Sequence, residues 1–236
     1  MELQNQFDPN LRNIISNKNV TALLPIGSIE QHGAHLPVST DSDIVFSISK
    51  ILAKKCNFML LPILKYGCSN EHSPYFNISL KKSTIRSLLL DICTSLYKNK
   101  IKKVFILNGH YGNIKKIYRV EKKLRHNKLK ISIFSYWDFL AYKMDHGGFV
   151  ETSLMLAISN KTNMAVASKG LALEDLPTKI KLRYKKILTK SFPRVTKNGI
   201  IGDPTHASAV AGRKMINEII KNFIELVNKN TTKMKF

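Results

Sequence analysis

Residues 22–37 read Ala22-Leu23-Leu24-Pro25-Ile26-Gly27-Ser28-Ile29-Glu30-Gln31-His32-Gly33-Ala34-His35-Leu36-Pro37, and Thr40-Asp41-Ser42-Asp43 follow shortly after. The first five residues are apolar without alternation, which predicts a short strand buried on both faces, as in a parallel sheet. Open α/β sheets place their functional residues beyond the carboxyl ends of the strands, and the glycines here allow the chain to turn tightly at that edge. Glu30 and His32 therefore arrive there together. In an extended loop, residues two apart point the same way, so this carboxylate and imidazole can converge on one metal ion or on two neighbouring ones. Asp41 adds a short carboxylate able to bridge a pair of ions, which two-metal hydrolases hold roughly 3.5–4 Å apart.

The strand-then-turn pattern recurs at Val104-Phe105-Ile106-Leu107-Asn108-Gly109-His110-Tyr111-Gly112-Asn113, which brings His110 to the same edge from another strand. A third segment, Asp145-His146-Gly147-Gly148-Phe149-Val150-Glu151-Thr152-Ser153, is a glycine hinge leading into a helix, with His146 before the helix and Glu151 near its start. Each residue alone has an ordinary reading. An isolated buried histidine usually packs, Glu151 suits a helix N-terminus through the helix dipole, and Asp41 or Asp43 could cap a helix starting near Ile44. Carboxylates and imidazoles at three element ends, with no thiolate among them, suit Zn²⁺, Mn²⁺ or Fe²⁺ in a working site better than a structural thiolate site.

Further apolar runs at 59–63 and 131–134 predict two more strands. Helical spacing appears at 44–54, 83–98, 114–125 and 152–159, and in a last helix at about 207–228. Alternating strands and helices predict an α/β layered fold with a mainly parallel sheet, formed by residues 1–236 as one domain. Residues 160–200, with Leu176-Pro177, Phe192-Pro193 and many lysines, predict an excursion over the surface.

The chain has 236 residues, 44% of them hydrophobic, enough for a full core. No segment has the order of a signal peptide or the length of a membrane span, so the expectation is a soluble, cytoplasmic protein with no membrane partner. Cys56, Cys68 and Cys93 form no Cys-x-x-C pair and read as free thiols. The formal charge of +22 raises nucleic acid as a partner. The lysines, however, are dispersed through helix-like segments at 98–103, 115–130 and 178–190 without interleaved aromatics, so no specific nucleic-acid partner is expected.

The ordered set of motifs resembles the creatininase-like metal-dependent amidohydrolases, a family that includes creatinine amidohydrolases, formamidopyrimidine deformylases and mycofactocin-type peptidases. The resemblance rests on Leu24-Pro25-Ile26-Gly27-Ser28-x-Glu30-Gln31-His32-Gly33-x-His35-Leu36-Pro37, Thr40-Asp41, Asn108-Gly109-His110 with Asn113, and Glu151-Thr152-Ser153. Tyr66-Gly67 with Glu71-His72, Ile78-Ser79-Leu80, and Gly202-Asp203-Pro204 with Ala207 and Gly212 extend it. It implies a three-layer α/β/α fold, a homo-oligomer (commonly a hexamer made of dimers), and one or two divalent ions per chain. By the same resemblance Glu30 and His110 hold one ion, His32 holds the other, Asp41 bridges them, and His146 is the catalytic proton carrier. Creatininase-type members take a further ligand from a Glu two residues after the histidine of Asn-Gly-His. Gly112 stands there in this chain, and the resemblance to members sharing that glycine moves the ligand to Glu151.

Two departures from the family pattern stand out. After Glu71-His72 the family reads Phe-Pro-Gly-Thr, whereas this chain has Ser73-Pro74-Tyr75-Phe76-Asn77 and is one residue shorter, in a loop that borders the substrate. Peptidase and deformylase relatives often carry Glu where this chain has Phe149. The expected chemistry is addition of water to an amide, lactam or formamide carbonyl of a small molecule or short peptide, with His146 as general base and then general acid. Tyr111, Glu71 and His72 are expected on the substrate side, the last two also able to fix a ligand's tautomer. Trp137 reads as core. Creatinine itself is not the expected substrate, given Gly112 and the altered loop. Rival readings are an inactive binding protein on the same fold and a two-metal phosphoester hydrolase. None of Glu30, His32, Asp41 and His110 is missing, which opposes the first, and no P-loop is present to support the second.

Overall fold

The run at 22–26 is the body of a strand, β1 (Thr21–Ile26), and its residues alternate between two apolar layers. Leu23 packs into one cluster, and Ala22, Leu24 and Ile26 into another. The computed structural model describes residues 1–124 and 129–232. In chain order the remaining elements are α1 (Asp8–Asn17), α2 (Thr40–Lys55), β2 (Met59–Leu60), α3 (Lys82–Lys98), β3 (Lys103–Asn108), α4 (Ile114–Leu124), β4 (Lys130–Ser135), α5 (Phe149–Ile158), α6 (Thr178–Leu188) and α7 (Ala209–Thr232). The four strands pair in the order β2-β1-β3-β4, all parallel.

Strands buried on both faces require two covering layers, and the core clusters supply them. Ile44, Val45, Ile48 and Leu52 of α2, Val150, Leu154 and Met155 of α5, and Met215, Ile219 and Phe223 of α7 cover one face. Ile85, Leu89 and Cys93 of α3 with Ile117 and Val120 of α4 cover the other, joined by Leu11 and Ile15 of α1. The three-layer α/β/α arrangement is thus built from period-2 strands between period-3.6 helices. Cys56, Cys68 and Cys93 are free thiols, and no helix among the described residues is long and apolar enough to cross a membrane.

Some details differ from expectation. The strand expected over 59–63 pairs only as Met59–Leu60. Leu61 N–H still donates to the Leu23 carbonyl, but beyond Pro62 the register slips by one residue and Leu64 N–H, not that of Ile63, donates to the Pro25 carbonyl. Helix α2 starts four residues before Ile44, and α5 starts at Phe149 instead of Thr152, so Asp41 and Glu151 both lie in first helical turns. Arg125, the expected end of α4, and the 125–128 part of the lysine segment lie outside the described residues. The stretch 160–200 is not simply an excursion: α6 lies within it, and Phe192, buried there, returns to the carboxyl edge of the sheet.

Candidate metal centre

Three loops leave the carboxyl ends of β1, β3 and β4, and the first turns of α2 and α5 face the same edge. The β1 loop carries Glu30 and His32, both fully buried. Ser28 Oγ donates to Glu30 Oε2 at 3.0 Å. The Nδ1–H of His32 donates to its near neighbour, the Glu30 carbonyl, at 3.0 Å. That orients the ring and turns Nε2 toward Asp41 Oδ1 at 3.2 Å and Glu151 Oε2 at 3.6 Å. His110 is held by the same device: its Nε2–H donates to the Cys68 carbonyl at 3.0 Å. Its Nδ1 therefore faces Asp41 Oδ2 at 3.0 Å and Glu30 Oε2 at 3.2 Å.

Two imidazole nitrogens thus point at carboxylate oxygens, a pairing that needs positive charge, either a proton on each ring or a cation between them. Ligand atoms at about 2.0–2.2 Å around one tetrahedral ion stand roughly 3.3–3.5 Å from one another, close to the separations seen here. Glu30 Oε1 and Asp41 Oδ2 are buried without a hydrogen bond. Three donor groups arise among the described residues: Glu30 with Asp41 and His110, His32 with Asp41 and Glu151, and Glu30 with His32 and His146, each with its atoms within 4.8 Å of one another. Asp41 belongs to the first two, one oxygen turned to each histidine. The donor set fits one or two divalent ions.

The electrostatics point the same way. Burial works against charge on Glu30, yet the imidazoles of His110 and His72 hold its carboxyl well below the usual range. Burial likewise opposes charge on His32, but Asp41 and Glu151 raise it to about 10. His110 is raised well above the ordinary value against its own burial by Glu30 and Asp41. Glu151 is pushed up to about 8, first by burial, with Asp41 and Asp145 adding repulsion. Three buried carboxylates around two imidazoles form a site of excess negative charge that protons or a cation must balance.

His146 and His72 lie beside this cluster. His146 Nε2–H donates to the Gln31 carbonyl at 2.9 Å, and its other nitrogen, Nδ1, stands 4.0 Å from Glu30 Oε1. Burial, followed by the neighbouring rings of His32 and His72, holds His146 well below the ordinary histidine value. Gly147 adopts φ +61°, the turn that delivers His146 and the start of α5. His72 Nε2 lies 3.1 Å from Glu30 Oε1. Glu71 lies 3.9 Å from His110 Nε2 and 3.7 Å from Lys116 Nζ. A Cβ at Gly112 would collide with Glu71 Oε1 and His110 Nε2, so Glu71 fills the space a side chain there would need.

Tyr111 is brought to the edge but not into the cluster, being 69% exposed. The structure adds four residues that were not singled out from the sequence. Asp145 accepts from Val150 N at 2.8 Å and Glu151 N at 3.3 Å, capping α5, and burial pushes its carboxyl up to about 6. An acid shortly before a helix start was the available signal. Tyr136 lies fully buried, and burial together with the nearby Glu151 and Asp41 raises its hydroxyl well above the ordinary value. Phe192 stacks on His72 at 4.2 Å and its N–H donates to the Glu71 carbonyl at 2.7 Å; nothing local in the sequence signals this. Gln31, between Glu30 and His32, reaches both His72 and His146.

The family described as creatininase, creatinine amidohydrolase, matches residues 8–227. The chain belongs to the creatininase family. Among its relatives, a mycofactocin precursor peptide peptidase of Mycobacterium ulcerans is 29% identical over 220 residues, covering 87% of this chain and 83% of that protein. A creatinine amidohydrolase of Pseudomonas putida is 29% identical over 165 residues, covering 58% of this chain and 63% of that protein. A solved creatininase in a manganese form shares the fold, with a TM-score of 0.82 at 21% identity over 97% of this chain and 98% of that one.

Proposed function

We propose that this creatininase-family chain is a metal-dependent amidohydrolase that cleaves an amide, lactam or formamide carbon-nitrogen bond in a non-peptide molecule or a short peptide. The observation that carries this reading is Asp41, whose two oxygens face two differently held histidines in two overlapping donor groups. Glu30 and His110 would hold one ion, His32 and Glu151 the other, and Asp41 would join them; Zn²⁺, Mn²⁺ and Fe²⁺ all suit such donors. A divalent ion in such a site lowers the pKa of water toward neutrality and polarises the substrate carbonyl.

The chain's own residues supply the proton handling. His146 Nδ1 carries no hydrogen when Nε2–H donates to the Gln31 carbonyl, so it takes the proton from the attacking water and later gives it to the leaving nitrogen. His72 holds Glu30, and Glu71 with Phe192 walls the substrate side. Tyr111, exposed at the rim, is placed to meet a substrate as it enters. We further propose that residues 1–236 act as one domain, in a cytoplasmic homo-oligomer with no specific nucleic-acid partner.

The test is turnover of cyclic imides, lactams, formamides and short peptides by protein stripped with chelator and reloaded with Zn²⁺ or Mn²⁺. Hydrolysis of at least one class, lost on stripping and regained on reloading, is expected. No turnover by metal-loaded protein in any class, or turnover of phosphoesters instead, overturns the reading.

A further inference from the structure

Gln31 has two side-chain hydrogens and three neighbours that could receive them. Its Oε1 accepts from Gly33 N at 3.0 Å, which fixes the orientation of the amide. Its Nε2 then lies 3.1 Å from the Gly199 carbonyl, 3.1 Å from His72 Nδ1 and 3.1 Å from His146 Nε2. The Gly199 carbonyl can only accept, so it takes one hydrogen. The main-chain carbonyl of Gln31 also needs a donor, and His146 Nε2 at 2.9 Å supplies it. His146 Nε2 therefore carries a hydrogen and cannot accept one. The second amide hydrogen goes to His72 Nδ1, which leaves the hydrogen of His72 on Nε2, facing Glu30 Oε1 at 3.1 Å. This assignment pairs Gly33 N–H, both amide hydrogens and the Gln31 carbonyl, and leaves Gln31 Nε2 and His146 Nε2, 3.1 Å apart, as two donors that do not bond each other.

The surroundings are shaped for this amide. Gly199 sits at φ +75°, and a Cβ there would run into the Gln31 side chain. The His146 backbone is pinned to Ile201 by hydrogen bonds of 3.1 and 2.8 Å. The Phe192 ring packs against both histidine rings, at 4.2 and 4.7 Å between centroids.

We propose that Gln31 is the positioning residue that sets the hydrogen on both histidines at once: the carbonyl leaves His146 Nδ1 bare to carry protons, and the amide puts the hydrogen of His72 on Nε2, the nitrogen that faces Glu30. Glu30 then has one oxygen facing His72 and the other facing His110. The inference rests on the proposed function for the use made of these groups, but the tautomers themselves do not depend on it.

The experiment is ring-nitrogen NMR on protein labelled only at histidine, seven residues in all, beside a chelator-competition titration with Zn²⁺. Wild type is compared with Gln31→Met, which removes the amide at similar volume, and with Gln31→Glu, which keeps an acceptor for Gly33 but cannot donate. In wild type, His72 and His146 should both carry their hydrogen on Nε2. In Gln31→Met, His146 should be unchanged, because its partner is main chain, while His72 should average between tautomers. In Gln31→Glu, His72 should move its hydrogen to Nδ1. Zinc affinity should fall roughly 10–100-fold in both variants, the effect of losing a group that orients a ligand.

Wild-type His72 with its hydrogen on Nδ1, or His72 signals unmoved in both variants, overturns the proposal. The wild-type spectrum decides even if a variant fails to fold. Tautomers as stated in a wild-type protein that takes up no zinc would leave this inference standing and sink the proposed function.

Discussion

The two ends of one parallel sheet carry charge in opposite ways. At the carboxyl edge, Glu30, His32, Asp41, His110 and Glu151 are buried and their polar atoms converge within a few ångströms. At the amino edge, a cavity of about 590 Å³ is lined by Lys18, Lys100, Lys102, Lys103 and Lys130 beside Val20 and Thr21. Lys103 and Lys130 sit directly opposite each other on β3 and β4. Lys103 is held below the ordinary lysine value by partial burial and then by Lys130. The amino edge has the volume, and the carboxyl edge has the chemistry. Open space and a high density of one charge do not make a site; opposed charges held where water cannot screen them do.

The sharpest break between the two ends comes from Asp41→Ala. Removing the carboxylate shared by both donor groups should cost most of the bound metal and the activity with it, read by elemental analysis beside turnover. His146→Ala should separate the roles within the carboxyl edge. Metal should stay, and the rate should fall by about 10²–10⁴, the usual worth of general acid-base catalysis. Loss of metal as complete as in Asp41→Ala would make His146 a ligand.

A smaller effect follows from the imidazoles. Against the pull of burial, Asp41 and Glu151 raise His32 to about 10 in the metal-free protein. The shift is upward, so its stabilisation is fully present below the ordinary histidine value and is lost as pH rises toward about 10. Zinc must displace that proton, so its affinity should rise about tenfold per pH unit between pH 6 and 8 for each proton released. A pH-independent affinity in competition titrations would contradict this. The smallest effect is expected at the other end: Lys102→Glu, at an exposed position, should leave zinc affinity unchanged and stability within about 0.5 kcal/mol by denaturant unfolding.

How much of this was legible depended on whether the deciding contacts were local. The apolar runs at 22–26 and 104–107 declared buried parallel strands, and the loops after them carried Glu30, His32 and His110 in continuous motifs. The expected strand at 59–63 exceeds the two-residue β2 because the register slips by one residue across Pro62, so that Leu64 and not Ile63 pairs with Ile26. Helix α1 was not expected: only Leu11 and Ile15 of its short, polar sequence pack against the core. Phe192 was out of reach for another reason. Its place over His72 is fixed by the return of a distant segment, through Phe192 N–H to the Glu71 carbonyl and Tyr75 Oη to the carbonyls of Thr196 and Lys197. Gln31 was visible as a letter in the motif, but its role needed the positions of Gly199, His72 and His146 together.

Anomalous diffraction from zinc-loaded crystals shows whether the carboxyl edge is a metal centre organised by Asp41. Zinc is expected between Glu30, Asp41 and His110, or between His32, Asp41 and Glu151, with two ions roughly 3.5–4 Å apart where both positions fill, and none in the lysine cavity. No zinc at the carboxyl edge, or zinc there without Asp41 among its ligands, would contradict it.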